Sequence, residues 1–463
     1  MQKLFDEVSF LDKRCYEKFG LIEDILMEHA ANGMADYIRK YFTKKSQIIV
    51  ACGSGNNGAD GIALARLLHG DFDVSILFAK APNSKMAILQ EKRAKAVGVP
   101  TCQELDSCDV LVDAIVGTGF SGDFNDSLKS VLNQMNTLEA FKIACDVPSG
   151  LRKNGQVAKE AFEADVSLTM GALKKSMFLD EAKEFVGETK VLNLGVARNI
   201  YEAQTHWNLL DLEDLKLPYR EKKNSHKGSY GHLALACGSK PGASILSALA
   251  ALRFGSGLVT LVGFEEEIIP DTIMYTHELP RNTTALACGM GLGGEFSELE
   301  LEKFLDNTLP LVVDADIFHM PILLEILKRK SLVLTPHAKE FVALLRQTAI
   351  ADISVEVLQK NRFEYVEKFC SLFPNVTLLL KGANVILAKY DQFYINPHGT
   401  SALAKGGTGD VLSGLVGALL AQGYAPLEAA KNASLVHTKL ALNYKGADFS
   451  LTPHDLIEGL SNL

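Results

Sequence analysis

Short apolar runs alternate with longer mixed segments twice along this 463-residue chain, and that alternation most limits how it can fold. The first half carries IIVAC, VSILF, VLVDAIV, KIACDV, VSLTM and KVLNLGV. The second carries YGHLALACGS, LVTLVGF, TTALACG, LPLVVDAD, SLVLTP, VTLLLKG and NVILAKY. Runs this short and apolar suit strands buried on both faces, and the segments between them are long enough for crossover helices. Each half therefore predicts an α/β fold with a mostly parallel sheet between helices. The first fifty residues read as helical, with Ile25, Met27, Ala30, Met34 and Ile38 at helical spacing. GASILSALAALRF predicts a helix packed closely on a sheet, and VLSGLVGALLAQG and PLEAAKNASLVHTKLALNY predict the last long helices. A polar stretch, WNLLDLEDLKLPYREKKNSHKG, interrupts the alternation, so domains are expected at residues 1–210 and 222–463, each large enough for its own core.

Composition excludes several classes of partner. A formal net charge of -9 offers no concentrated basic footprint, so nucleic acid is not expected. The eight cysteines stand singly, several in strand-like runs, and read as buried free thiols. MQKLFDEVSFLDKRC lacks the apolar core of a signal peptide and no run is long enough to span a bilayer, so a cytoplasmic location without membrane association is expected.

Three strand ends in the first half carry the chemistry. ACGSGNNGADG places Gly53, Gly55 and Gly58 at the spacing of a dinucleotide fingerprint. That fingerprint needs an acid at the end of the second strand to hold ribose, whereas this strand ends at Lys80. Asn56, Asn57 and Asp60 are also too polar for a pyrophosphate loop. They suit a hard cation or a sugar hydroxyl, with a helix cap as the plain alternative. Asp113, followed by Gly117, Gly119 and Gly122, and Asp146, followed by Pro148, Ser149 and Gly150, end two further strands. Ligands collect outside the carboxyl ends of such strands, so the three loops are expected to share one crevice.

On these motifs, residues 1 to about 210 resemble the N-terminal epimerase domain of the bifunctional NAD(P)H-hydrate repair enzymes. Asn56 to Gly61 match an N-N-G-G-D-G segment, with Ala59 replacing a glycine. Asp113 to Gly122 match D-A-x-x-G-x-G-x-x-G, and Asp146 to Gly150 match D-x-P-S-G. The resemblance implies a Rossmann-like three-layer αβα domain that interconverts the R and S forms of hydrated NADH and NADPH (NADHX and NADPHX) at C6. It implies K+ near Asn57, Asp113 and Ser149. The hydrate is expected against Asn56, Asn57, Gly58, Ala59, Asp60, Asp146 and the loop of Gly117, Thr118, Gly119, Phe120, Ser121, Gly122 and Asp123. Thr169 and Lys174 match a later T-x-x-x-x-K segment. Asp146, a carboxyl at a strand end, is the candidate proton carrier, with hydrogen bonding to loop amides or substrate hydroxyls as the alternative.

KGGTGDVLSG marks the second site. Gly406, Gly407 and Gly409 allow close backbone approach, and the helix that follows offers unpaired N–H groups to an anion. Asp410 sits at that entrance as a candidate base for an acceptor hydroxyl, or else as a cap. The segment lacks the GK[ST] ending of a Walker A loop. HKGSYGHLALACGS, ALRFGSGLVT, CGMGLG, VVDAD, TPHAKE, LLKGANV and GGTGD occur in the family order, so residues 222 to 463 resemble the C-terminal, ribokinase-like dehydratase domain of the same enzymes. That implies a second three-layer αβα domain, with Ala243, Gly291, His337 and Asp410 on the hydrate. Lys381, Gly382, Ala383, Asn384, Val385 and Gly409 are implied on the adenine nucleotide. ADP would serve as phosphoryl donor in dehydrating the S form, with Mg2+ on the phosphates and further copies of the chain in a homo-oligomer. Ala338 and Lys339 depart from the family's T-P-H-P-G-E. An ADP- or ATP-dependent small-molecule kinase with an N-terminal nucleotide-binding module, or a binding protein with two degenerate sites, are the alternatives.

Overall fold

The computed structural model describes residues 1–263, 269–293 and 298–463. Phe264, the last residue of the predicted strand LVTLVGF, lies outside the described residues. Contacts divide the chain into two compact units, Gln2–Trp207 and Asn208–Leu463, with Met1 in the second.

The first unit has strands β1 (Gln2–Phe5), β2 (Gln47–Cys52), β3 (Asp73–Phe78), β4 (Thr101–Cys102), β5 (Val110–Ala114), β6 (Phe141–Cys145), β7 (Val166–Met170), β8 (Leu173–Lys174) and β9 (Glu188–Leu192). Seven of them form a sheet in the order β4-β3-β2-β5-β6-β7-β9, every neighbouring pair parallel. Side chains alternate across it. Ile48, Val50 and Cys52 of β2 join a core with helices α1 (Ser9–Phe19), α2 (Glu23–Tyr41) and α3 (Asn56–Leu68). Ile49 and Ala51 join a second core on the other face, with Leu132 and Met135 of the helix Asp126–Thr137. Two cores from alternate residues of one strand make this a three-layer αβα unit. The expectation that the first fifty residues are helical is corrected at Gln2–Phe5, which pairs in parallel with β8. Four residues are too few for a period to reveal a strand.

Along that sheet the chain leaves β2 for β3 on one side and returns to β5 on the other. The order reverses between β2 and β5, and the loops leaving such a pair diverge to open a crevice.

β10 (Trp207–Leu209) stands at the division between the units. The second unit continues with β11 (His232–Cys237), β12 (Leu258–Gly263), β13 (Met274–Thr276), β14 (Ala285–Cys288), β15 (Leu311–Val313), β16 (Leu332–Leu334), β17 (Val376–Leu380), β18 (Val385–Lys389) and β19 (Gln392–Asn396). They lie in the order β13-β12-β11-β14-β15-β16-β17-β18-β19, parallel as far as β17 and antiparallel through β18 and β19. Leu233, Leu235 and Cys237 pack into a core with the helices Pro241–Arg253, Thr408–Ala421 and Pro426–Asn443.

The small residues of Pro241–Arg253 admit another helix. A Cβ on Gly414 would stand 2.2 Å from the Ser247 carbonyl oxygen, and the Ser247 hydroxyl donates to the Asp410 carbonyl oxygen at 2.7 Å. This contact holds the amino end of Thr408–Ala421 in place. Among the described residues, no helix is long and apolar enough to cross a membrane.

Candidate active sites

At the N-terminal switch point a cleft of about 790 Å³ opens over the carboxyl ends of β2 and β5. Asn56, Asn57, Asp60, Gly117 to Ser121 and Asp146 line it, together with Asp12, Glu7, Ser9 and Lys153. Asn56, Asn57 and Asp60 occupy the first turn and a half of α3, whose N-cap is Gly55, rather than a loop. Gly53 and Gly58 make the turn possible: a Cβ on Gly53 would stand 1.9 Å from the Ile115 carbonyl oxygen, and one on Gly58 2.0 Å from that of Gly53. Ala59 faces away, fully buried against Met27, Met86 and Ala87, and its helical backbone accepts a methyl where the family has glycine. Gly122 and Asp123 also stand outside the cleft lining. Arg152 donates to the Gly122 carbonyl oxygen at 3.0 Å and to Asp123 Oδ1 at 3.1 Å.

Asp146 has φ +70°, a left-handed conformation uncommon for a residue with a side chain. Its Oδ1 collects three donors: the Met170 N–H at 2.9 Å, the Thr169 hydroxyl at 3.2 Å and the Lys174 ammonium. Lys174 is fully buried and also donates to Thr169 Oγ1 at 2.8 Å. The matched T-x-x-x-x-K segment thus converges on Asp146. Asp60 is half-buried in the same wall, and burial, reinforced by Asp146 and Asp12, pushes its carboxyl well above the ordinary range.

Asp113 and Ser149 lie under the cleft floor, both fully buried. Asp113 Oδ1 accepts from the Ser149 hydroxyl at 2.6 Å and the Ile115 N–H at 3.1 Å, and Oδ2 accepts from the Ser149 N–H at 2.7 Å. Burial raises the Asp113 carboxyl to about 6 despite the Ser149 bonds. Ser149 Oγ also lies 3.2 Å from the Val116 carbonyl oxygen. Asn57 supplies an orphan, a buried Nδ2 with no hydrogen-bond partner. A half-turn of that amide would put its oxygen in the same place. One carboxylate among neutral oxygens is a donor set that fits a hard monovalent cation.

Asp12 and its partner Tyr201 were not among the residues singled out from sequence. The Tyr201 hydroxyl donates to Asp12 Oδ1 at 2.7 Å across 189 positions, and no local pattern announces such a pair.

The second site gathers at the carboxyl ends of β11, β14, β15, β16 and β17. Gly291, at φ +68°, packs on the Lys240–Ala243 turn: a Cβ there would stand 2.1 Å from the Lys240 carbonyl oxygen and 3.1 Å from Ala243 Cβ. His337 caps the helix Ala338–Gln347, its Nδ1 accepting from the Lys339 and Glu340 N–H groups at 3.1 and 3.3 Å. Those donors leave the ring proton on Nε2, 3.3 Å from Glu340 Oε1. Burial and Lys381 lower the His337 pKa, whereas burial raises Glu340 to about 7. Ala338 and Lys339, the departures from the family, open this helix without disturbing the cap.

Asp314, after β15, is the hub. Its Oδ1 accepts from Lys381 Nζ at 2.8 Å and its Oδ2 from the Ser413 hydroxyl at 2.7 Å. Lys381 begins the turn between β17 and β18 that holds Gly382, Ala383 and Asn384, with Val385 opening β18. Lys381 Nζ lies 3.5 Å from where a Cβ would stand on Gly409, so the ammonium and the free N–H groups of Thr408–Ala421 serve one place. Asp410 is half-buried in the first turn of that helix. Burial first, then the nearby Asp314, raises its carboxyl to about 7. Among the described residues, no group of three or more His, Cys, Asp or Glu side chains is placed to hold a metal ion.

Comparison with known proteins accounts for both halves. Residues 23–176 match the family model described as YjeF-related protein N-terminus, and residues 233–462 match that described as NAD(P)H-hydrate dehydratase. The bifunctional NAD(P)H-hydrate repair enzyme Nnr of Helicobacter pylori is 43% identical, the match covering 100% of both chains. Its counterpart in Archaeoglobus fulgidus is 30% identical over 89% of this chain and 88% of the relative. Among solved structures, the ADP/ATP-dependent NAD(P)H-hydrate dehydratase from Bacillus subtilis, co-crystallised with ATP and Mg2+, is 30% identical with a TM-score of 0.46, covering 54% of this chain and 94% of that one. The first unit is Rossmann-like, the second is ribokinase-like, and the chain belongs to the family of bifunctional NAD(P)H-hydrate repair enzymes.

Proposed function

We infer that the chain repairs hydrated nicotinamide nucleotides, with the epimerase in residues 1–210 and the ADP-dependent dehydratase in residues 222–463. The carrying observation is that one chain of this family holds two separate carboxyls, each beside a lysine ammonium, at the ends of its two sheets. Asp146 is fixed by Lys174, and Asp410 stands at a helix amino terminus beside Lys381.

In the first unit the hydrate enters the cleft against Asn56, Asp60 and the Gly117–Ser121 loop. Asp146 exchanges a proton with the hydroxyl at C6 or with the water that replaces it. K+ is assigned to Asn57, Asp113 and Ser149, where a bound cation would pin the two crevice loops to each other and supply positive charge near the nucleotide phosphates.

In the second unit the hydrate lies on Ala243, Gly291 and His337. ADP lies along Lys381, Gly382, Ala383, Asn384, Val385 and Gly409. Asp410 takes the proton of the C6 hydroxyl as its oxygen attacks the terminal phosphorus of ADP and AMP leaves. The N–H groups of Thr408–Ala421 and the Lys381 ammonium hold the charge on the phosphoryl group in transit. Loss of phosphate from C6 and a proton from C5 restores the dihydronicotinamide. Mg2+ is assigned to the ADP phosphates, since it binds through phosphate oxygens and water with few protein ligands. Eight free thiols suit a reducing compartment such as the cytoplasm. Exposed Phe10, Phe19 and Ile22 in the first unit favour a homo-oligomer.

The test is recovery of NADH from an R-rich hydrate preparation with ADP and K+. Wild type should restore nearly all of it. Asp410→Asn should restore none, and Asp146→Asn only the S fraction. No recovery by folded wild-type protein would sink the reading.

A further inference from the structure

Asp12 faces the N-terminal cleft without a role in the chemistry described above. It comes from α1 and lines the same wall set as Asp60 and Asp146. Its donor is held rigidly. Tyr201 is 1% exposed, its ring passes so close to Gly171 that a Cβ there would stand 2.5 Å away, and Arg14 donates to the backbone carbonyls of Ile200 and Tyr201. The phenol therefore points one hydrogen bond at Asp12 Oδ1 and holds a carboxyl that lines the cleft.

The charges in this cleft do not balance. Asp12, Asp60 and Asp146 face it, with Glu23 nearby bonded to Asn56 at 2.7 Å. Lys174, buried behind the lining, is committed to Asp146, and Lys153, the ammonium in the lining, is bonded to Glu7. Carboxyls crowded in one cleft oppose one another's ionisation, which together with burial favours a proton at Asp12 and at Asp60. Burial raises Asp12 above the ordinary carboxyl range, with Tyr201 and Lys174 opposing and Asp146 and Glu23 assisting. Asp12, hydrogen-bonded to a neutral phenol, and Asp146, hydrogen-bonded to an ammonium, stand in unlike environments in one cleft, the arrangement that paired acid and base catalysis uses.

We propose that Asp12, positioned by the Tyr201 hydroxyl, is a second proton-handling residue of the epimerase, working with Asp146 at the C6 centre. Asp12 gives its proton to the C6 hydroxyl as the C6–O bond breaks, water leaves and the N1 lone pair forms a C6–N1 double bond. Water then adds to the other face, its oxygen bonding C6 as the pair returns to N1, and its surplus proton passes to Asp146. The reverse reaction exchanges the two roles. This proposal rests on the epimerase reading of the first unit.

The test follows R-to-S interconversion of hydrated NADH by the full-length protein without ADP, from pH 5 to 9. Dehydration of the S form with ADP is followed in parallel. Asp12→Asn keeps the shape and can still accept from Tyr201, so only the proton function is lost. It should slow interconversion roughly 100-fold or more, leave S-form dehydration within about twofold and remove one limb of the pH profile. Tyr201→Phe should slow interconversion less and shift that limb. Interconversion by folded Asp12→Asn at the wild-type rate and pH profile overturns the proposal alone. Wild-type protein that does not interconvert the forms overturns the epimerase reading and this proposal with it. Should Asp12→Asn melt early, a Tyr201→Phe protein with wild-type rate and profile overturns the proposal independently.

Discussion

The Lys381 ammonium and the Asp314 carboxylate meet at 2.8 Å, with the aspartate side chain only 3% exposed, where the second sheet delivers its chain ends to the helix Thr408–Ala421. Burial alone would lower Lys381, yet Asp314 and Glu340 outweigh it and hold the ammonium above its usual range. The pair joins β15 to β17 and places one positive charge beside Gly409, at the amino end of that helix.

Removing the cation while keeping the stem, by Lys381→Met, leaves Asp314 buried without its counter-charge. The expected cost is about 3 to 5 kcal/mol, measured by chemical denaturation, with a large rise in the KM for ADP. Lys381→Arg should retain most of the stability and less of the nucleotide affinity, since a planar guanidinium cannot reproduce a compact ammonium.

On the proposed role of Asp410 as base, its carboxyl should give dehydration its pH dependence. Only the carboxylate accepts a proton, so with a pKa of about 7 the rate should climb as pH rises through 7 and level above it. Its stability contribution runs the other way. A carboxyl raised from 3.8 to about 7 favours the folded state fully below 3.8, and that advantage disappears as pH rises to 7. Asp410→Asn should therefore abolish dehydration while raising the melting temperature of the nucleotide-free protein at pH 8.

Gly414→Ala tests the helix contact behind that site. The added methyl would stand 2.2 Å from a backbone oxygen of Pro241–Arg253, which cannot swing aside as a flexible side chain would. A loss of roughly 1 to 3 kcal/mol or more is expected in denaturant melts, with dehydration falling because the amino end bearing Asp410 shifts. Epimerisation should be unchanged.

Potassium should raise the melting temperature of the wild type in proportion to the logarithm of its concentration above saturation, and lithium should do so less. Asp113→Asn and Ser149→Ala should flatten that dependence. A potassium response that survives both substitutions would move the cation away from Asn57, Asp113 and Ser149.

The alternation of apolar runs reveals both parallel sheets because strands buried on both faces carry their burial in composition: every residue of β5 and β11 is buried, and all but Asp113 and His232 are apolar. The segments with Asn57, Asp113 and Asp146 are legible for a related reason, since each ends or directly follows such a run with polar and glycine residues, and Asp410 is legible from the glycines that precede its helix. The strands Gln2–Phe5 and Thr101–Cys102 are not legible, since their few residues owe their conformation to partners distant in the chain. Nor is the start of α3 at Asn56, where glycines suggest a loop and close contact with Ile115 imposes a helical turn.

By itself the sequence determined two α/β halves, their glycine-bearing strand ends and the chemical types of the side chains there, because these depend on local composition and period. Only the tertiary structure decided which groups meet: Asp12 with Tyr201, Lys174 with Asp146, Lys381 with Asp314, and the orphan amide of Asn57 at the switch point. Sheet order brings these residues together across long stretches of chain, and the shifts at Asp12 and Lys381 follow from burial and the charges packed beside them, which no local window of sequence contains.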